Sequence, residues 1–254
     1  MNILIVLRKE MLEQWRTYKL LIVAAVLVVF GLISPLLAKL TPELLKAIPN
    51  MPPALALAIP APTLADAVAQ YVKNMSQFGI LLALLMSMGS VAQEKERGTA
   101  AMLLMRPVSR ETFLLAKFTA LTITFAVSLV LAALGCWYYY TLLLFQALDW
   151  GPFLALNGLV LVVFLDYIAM TLLCSTLARS QAAAAGLAFG GLVLLGGLGA
   201  LPRIGDYLPG RLFSWGMALL IGKADPAWPA LWVSLGLILV MLLVAGIIFR
   251  RQEL

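Results

Sequence analysis

The stretch "QEKERGTAAMLLMRPVSRE", residues 93–111, decides how this chain is read. It crowds Glu94, Lys95, Glu96, Arg97, Arg106, Arg110 and Glu111 into one short link between two long apolar runs. Elsewhere the chain is oily: of 254 residues, 63% are hydrophobic and only 12% charged, with a mean hydropathy of +1.01. A soluble domain would carry about a quarter charged residues. Apolar runs of the roughly 20 residues needed to cross a bilayer recur along the whole length. The composition predicts an all-α integral membrane protein, because an open strand edge in lipid would leave backbone groups unpaired.

Six membrane-spanning helices are expected, over residues 20–38, 76–93, 113–143, 152–177, 181–201 and 229–249, in a single domain over 1–254. Six crossings put both termini on one side. With that side inside, the inner face receives Arg8, Lys9, Arg16, Lys19, Lys95, Arg97, Arg106, Arg110, Lys117, Arg179, Arg250 and Arg251, 12 of the 18 basic residues. The outer face receives the other 6, Lys39, Lys46, Lys73, Arg203, Arg211 and Lys223. The positive-inside rule then places both termini and the charged link in the cytoplasm. The net charge of +6 reports sidedness, and no nucleic-acid partner is expected from it.

The first residues do not read as a signal peptide, since the apolar "ILIVL" precedes Arg8 and Lys9 and no small-residue cleavage site follows. Leu4, Leu7, Met11, Trp15 and Tyr18 recur at helical spacing, with Arg8, Lys9, Glu13 and Arg16 mostly on the other side. This predicts an amphipathic interfacial helix over 1–19; the alternative is a plain extension of the first span.

Extracytoplasmic loops are expected over 39–75 and 202–228. The first holds six prolines and then "TLADAVAQYVKNM", with Thr63 as N-cap and Asp66 in the first turn. The second contains "LPGRLFSWGMALLIG", too short to span, and reads as a surface helix or a shallow re-entrant turn. In the fifth span Ala182, Gly186 and Gly190 recur every four residues, a small-residue face suited to close helix packing, more within the chain than between copies.

Several chemistries are excluded early. There is no histidine, which removes His-based zinc sites and Ser-His-Asp catalysis, and no catalytic or metal-binding residue is assigned. Cys136 and Cys174 lie far apart in apolar segments and read as small buried side chains. "GMALLIGKA", residues 216–224, is a failed P-loop: five residues separate its glycines, and Ala224 stands where Ser or Thr must hold Mg²⁺. ATP hydrolysis by the chain itself is not expected, so it is not read as an enzyme. Asp166, in "VVFLDYIAM", sits near the middle of the fourth span, where an acid costs roughly 2.5–3.5 kcal/mol to insert. It reads either as a group on a translocation path or as a protonated or hydrogen-bonded structural acid.

The charged link has its own internal logic. Gly98 permits a sharp turn, Thr99 caps a short helix, and Pro107 stops it. Ser109 caps the next helix, with Glu111 in its first turn, where a negative charge suits the dipole. The stub would carry Met102, Leu103, Leu104 and Met105, an apolar knob framed by charge. Such a knob fits a groove on a partner protein, or dips into lipid while the charges reach headgroups.

The string "EKERGTAAMLLMRPVSRETFLLAK" resembles the ABC-2 type transporter permeases. In that family "QE-x-E-x-G-T", then "L-x-x-P-x-S-R" and a lysine, lie between the second and third spans. Glu94, Glu96, Gly98 and Thr99 match its entry; Arg106, Pro107, Ser109 and Arg110 match its exit. The resemblance implies that 94–112 is a cytoplasmic coupling loop and the start of the chain an elbow helix. It also implies a second permease subunit (a copy or a paralogue) and a separate cytoplasmic P-loop ATPase, which would hold the ATP and Mg²⁺; this chain would bind no cofactor. A bacterial plasma-membrane exporter with both termini cytoplasmic is the function implied. The residues alone leave a proton-coupled carrier or channel using Asp166, or a non-transporting scaffold, as alternatives.

Overall fold

The computed structural model describes residues 3–46, 63–98, 109–144, 148–223 and 225–252, and among them every regular element is helical. Helix α1 (Ile3–Arg16) is followed by α2 (Lys19–Lys46). The next helical run is jointed: α3 (Leu64–Asn74), a π-helical turn (Met75–Gly79), α4 (Ile80–Ser87) and α5 (Gly89–Glu96). Then come α6 (Arg110–Leu144), α7 (Trp150–Leu177), α8 (Gln181–Gly199), a 3₁₀ turn (Gly205–Tyr207), α9 (Arg211–Leu220) and α10 (Trp228–Arg251). Six of these runs are long and apolar enough to cross a membrane: α2, α3 to α5 taken together, α6, α7, α8 and α10. The protein is a multi-pass, all-α membrane protein.

Helix α7 is the axis of the bundle. Its apolar residues point in all directions, and helices α4 to α6 and α8 to α10 pack around it. Helix α2 lies outside, along α6, at very close range: a Cβ on Gly31 would meet the Ala132 carbonyl oxygen at 2.5 Å. Small residues permit this approach where lipid gives no hydrophobic driving force between helices.

Two spans are longer than the sequence pattern suggested. Helix α2 runs on to Lys46, through Pro35 and Pro42. Each proline lacks the N–H for the carbonyl four residues back. The residue before each one, Ser34 or Thr41, donates instead to a neighbouring carbonyl, of Phe30 at 2.5 Å and Leu37 at 2.6 Å. "TLADAVAQYVKNM" is not a separate loop helix. It begins the second span, which is helical over Leu64–Glu96. Thr63 and Asp66 form the expected reciprocal cap. Tyr71 then donates to Asn157 Oδ1 at 2.6 Å, and Asn74 to Ser34 Oγ at 2.9 Å, which draws this polar-looking helix into the bundle. The π turn absorbs a side chain of α7: a Cβ on Gly79 would lie 2.2 Å from the Phe164 ring.

A turn at Thr17 and Tyr18, the latter at φ 57°, separates α1 from α2, so the start of the chain is not a plain extension of the first span. The 202–228 segment contains α9, which turns Leu212 and Trp215 inward against α7. The small-residue face of the fifth span is a correction. Ala182, Gly186 and Gly190 are exposed, and a Cβ on either glycine would meet nothing among the described residues. Helix α8 packs on the opposite face, through Ala184, Ala188 and Gly191, where Gly191 lies under Met170. Four-residue spacing identifies a smooth stripe but not the neighbour it meets.

Candidate functional site

The chain leaves its second span at Glu94 and enters its third just before Lys117, and these two side chains meet. Lys117 Nζ lies 2.7 Å from Glu94 Oε1 and 3.0 Å from Glu10 Oε2. Lys9 completes the cluster, 2.9 Å from Glu10, 3.1 Å from Glu13 and 3.5 Å from Glu94. Lys117 and Glu10 are buried, and the lysine also lies 4.8 Å from the centre of the Phe113 ring. Next to them, the Thr124 hydroxyl donates to Gln14 Oε1, a second buried polar tie between α1 and α6. The three carboxylates approach within 4.8 Å of one another, and Lys117 sits between two of them, where a cation would have to bind.

Electrostatics explains why such a cluster survives in an apolar bundle. Burial alone would lower the Lys9 ammonium, but Glu10, Glu94 and Glu13 outweigh it and raise its pKa. Burial alone would raise the Glu13 carboxyl, but Lys117 and Lys9 hold it below its ordinary value. For both Lys9 and Glu13 the neighbours of opposite sign favour the charged form. Removing one partner of such a buried pair leaves an uncompensated charge, at a cost of about 3–5 kcal/mol.

The rest of the motif's described residues tie down the ends of other helices. Glu96 accepts from the backbone N–H of Gln181 at 3.2 Å, placing a carboxylate at the start of α8, where the dipole favours it. Lys95 donates to the Thr176 carbonyl at 2.5 Å, near the end of α7. Arg110 reaches the end of α10, donating to the carbonyls of Phe249 and Gln252 at 2.5 and 2.6 Å. Such terminal carbonyls have no partner within their own helix. Glu111 pairs with Arg250. Gly98 takes φ +69°, as its turn requires, and the Ser109 hydroxyl caps α6 by accepting from Thr112 N–H at 3.1 Å. Thr99, Met102, Leu103, Leu104, Met105, Arg106 and Pro107 lie outside the described residues.

Just before the motif the second span is broken. Ser175 Oγ, from α7, accepts from the N–H groups of Val91 and Ala92 at 3.1 and 2.9 Å and donates to the Met88 carbonyl at 2.8 Å. A hydroxyl inserted into the helical ladder is a recognised cause of a kink, and α4 gives way to α5 at this point.

Sequence reasoning singled out Glu94, Glu96, Gly98, Ser109 and Arg110, and the structure brings these together at one end of the bundle. It missed Glu10, Gln14 and Ser175 as partners and read Lys117 only as the last residue of the motif. A signal was present for two of them: Glu10 and Gln14 stand four apart, on one face of a helix whose other face is apolar. Asp166 lies well away from this cluster, within α7, and is 1% exposed.

Comparison with known proteins agrees with this architecture. A family model described as "ABC-2 family transporter protein" matches residues 4–201, which include all but the first residue of α1, the ion cluster and the whole motif. The chain is 29% identical over 184 residues to an uncharacterized transmembrane protein, YxlG, of Bacillus subtilis (strain 168), covering 72% of this chain and 71% of the relative. With 198 of its 254 residues inside the family model, the chain belongs to the ABC-2 transporter family.

Proposed function

We propose that this chain is the permease subunit of an ATP-driven exporter in a bacterial plasma membrane, with both termini cytoplasmic. A separate P-loop ATPase docks on the 94–112 link. The observation that carries this reading is the anchoring of the link: its two flanks reach α1, α7, α8 and α10 through Glu94, Lys95, Glu96 and Arg110. A merely solvated loop needs no such web of buried and half-buried ties. A force applied to the link would be felt directly by four other helices.

The chain's residues suggest how the motion travels. Movement of the link displaces Glu94, and the ion cluster carries α1 and α6 with it. The break at Met88 lets α5 swing without dragging the whole second span, with Ser175 holding the loosened N–H groups in either position. Two permease subunits, each with its own link, would form the path between them. The outward stripe of Ala182, Gly186 and Gly190 is a surface that a second copy can approach closely.

The test is native purification from membranes in mild detergent, followed by identification of bound subunits and assay of ATP hydrolysis. Recovery of a P-loop ATPase in fixed ratio supports the reading. Recovery of the chain alone, or only with itself, refutes it.

A further inference from the structure

Several buried or half-buried hydroxyls in these spans donate to a carbonyl one turn back. Thr171 donates to Tyr167 at 2.7 Å, Thr122 to Phe118 at 2.9 Å, and Ser87 to Ala83. Ser234, fully buried on α10, does not, and its oxygen, like that of Ser128 on α6, has no hydrogen-bond partner among the described residues. It faces Asp166 on α7, close enough to interact but outside hydrogen-bonding geometry. Both Asp166 oxygens are likewise without a partner. The basic side chains that make ion pairs, Lys9, Lys117, Arg211 and Arg250, all pair elsewhere.

An isolated carboxylate buried among apolar side chains costs several kcal/mol, so with the bundle closed the acid must hold a proton. A hydroxyl that has given up its backbone bond and an acid with two vacant oxygens, held face to face between two spans, lack a positive charge. Its chemical class follows from the surroundings. Ca²⁺ and similar hard ions need about six oxygen ligands, whereas Asp166 and Ser234 supply three. The neighbouring Val163, Met170 and Ile238 are apolar and Tyr167 is aromatic. An organic cation with an apolar body fits such walls, and an aromatic face adds to the attraction.

We propose that Asp166 and Ser234 form a recognition site for a lipophilic monovalent organic cation. The site is closed in this structure and opens when α7 and α10 part. The carboxyl gives up its proton to solvent as the cation enters, so the charge of the site is conserved. This inference borrows from the permease reading only the idea that the helices separate. It is tested on the chain without an ATPase, so its failure leaves that reading standing.

The experiment measures equilibrium binding of tetraphenylphosphonium to the purified full chain in mild detergent, with a proton-sensitive dye in weak buffer. Tetraphenylborate and sodium are the competitors. Wild type should bind the probe saturably and release a proton per bound cation, and neither competitor should displace it. Asp166→Asn should weaken binding by roughly tenfold or more, the loss of a charge-assisted contact, and release no proton. Ser234→Ala should weaken binding a few-fold while keeping proton release. If Asp166→Asn does not fold, labelling of wild type by dicyclohexylcarbodiimide decides. An adduct on Asp166 that tetraphenylphosphonium prevents supports the site, and an adduct it leaves unchanged refutes it. Absence of saturable binding, binding without proton release, or displacement by sodium would each overturn the proposal.

Discussion

At the motif end of the bundle, Lys117 is buried between Glu10 and Glu94, at 3.0 and 2.7 Å, and Lys9 meets the same carboxylates from the rim. Deep in α7, Asp166 is buried just as thoroughly and has no hydrogen-bond or ion-pair partner among the described residues. Both regions bury an ionisable side chain, Lys117 in one and Asp166 in the other, yet only Lys117 has partners of opposite charge among the described residues. The comparison separates two uses of a buried acid. A neutralised cluster works as a mechanical tie, because each member is costly to move alone. An acid with no partner, neutral while it holds its proton, contributes little to holding helices together.

The largest effect should come from breaking the complete cluster. Lys117→Ala leaves Glu10 and Glu94 with only the half-exposed Lys9 as a counter-charge, and should destabilise the protein by about 3 kcal/mol, read as a lowered melting temperature in detergent. A melting temperature close to wild type would mean that the cluster is not a tie. Ser175→Ala should cost about 1–2 kcal/mol, since it removes the hydroxyl that satisfies Val91 and Ala92. Amide exchange at those two positions should change while exchange at the end of α6 does not.

Acid should loosen α1 before it unfolds the bundle. The Glu13 carboxyl is held below its ordinary value of 4.5, so its contribution is complete above that pH and is lost as the pH falls through the lower folded value. Lys9 is raised above 10.5, so its contribution is complete below that value and disappears only as the pH rises through the higher folded one. Protection of the α1 amides relative to their intrinsic exchange should therefore be flat between these limits and fall below about pH 4.5, with α7 unaffected. Equal loss of protection in both helices would contradict the assignment of this sensitivity to the cluster. The smallest effects are expected at Asp166 and Glu111. Asp166→Asn should melt at or slightly above the wild-type temperature, because no partner is orphaned. Glu111→Gln removes only an exposed pair with Arg250 and should shift melting by less than about 1 kcal/mol.

The number and nature of the spans were legible in the sequence because lipid admits few alternatives: an apolar run of sufficient length must become a helix. The caps were legible too, at Thr63 and Ser109, since their chemistry is local. Where sequence reasoning fell short, the cause was a contact distant in the chain. "TLADAVAQYVKNM" looks like a surface helix until Asn157 and Ser34 engage Tyr71 and Asn74. The break at Met88 is invisible locally, because the hydroxyl that makes it belongs to residue 175. The stripe at Ala182, Gly186 and Gly190 shows the converse failure, a correct local pattern with no neighbour among the described residues. For the site, the motif marked Glu94 and the arginine exit, while the partners on α1 were hidden by a pattern that drew attention to its apolar face.

The central claim is that the 94–112 link couples this permease to a separate ATPase. Its most direct test is the double substitution Met102→Asp and Leu104→Asp, compared with wild type by native purification and melting in the same detergent. Two carboxylates forced into an apolar docking groove would cost several kcal/mol unless paired. The account predicts that wild type recovers the P-loop ATPase and the double variant does not, with melting temperatures that agree. Equal recovery of the ATPase by both proteins would contradict it.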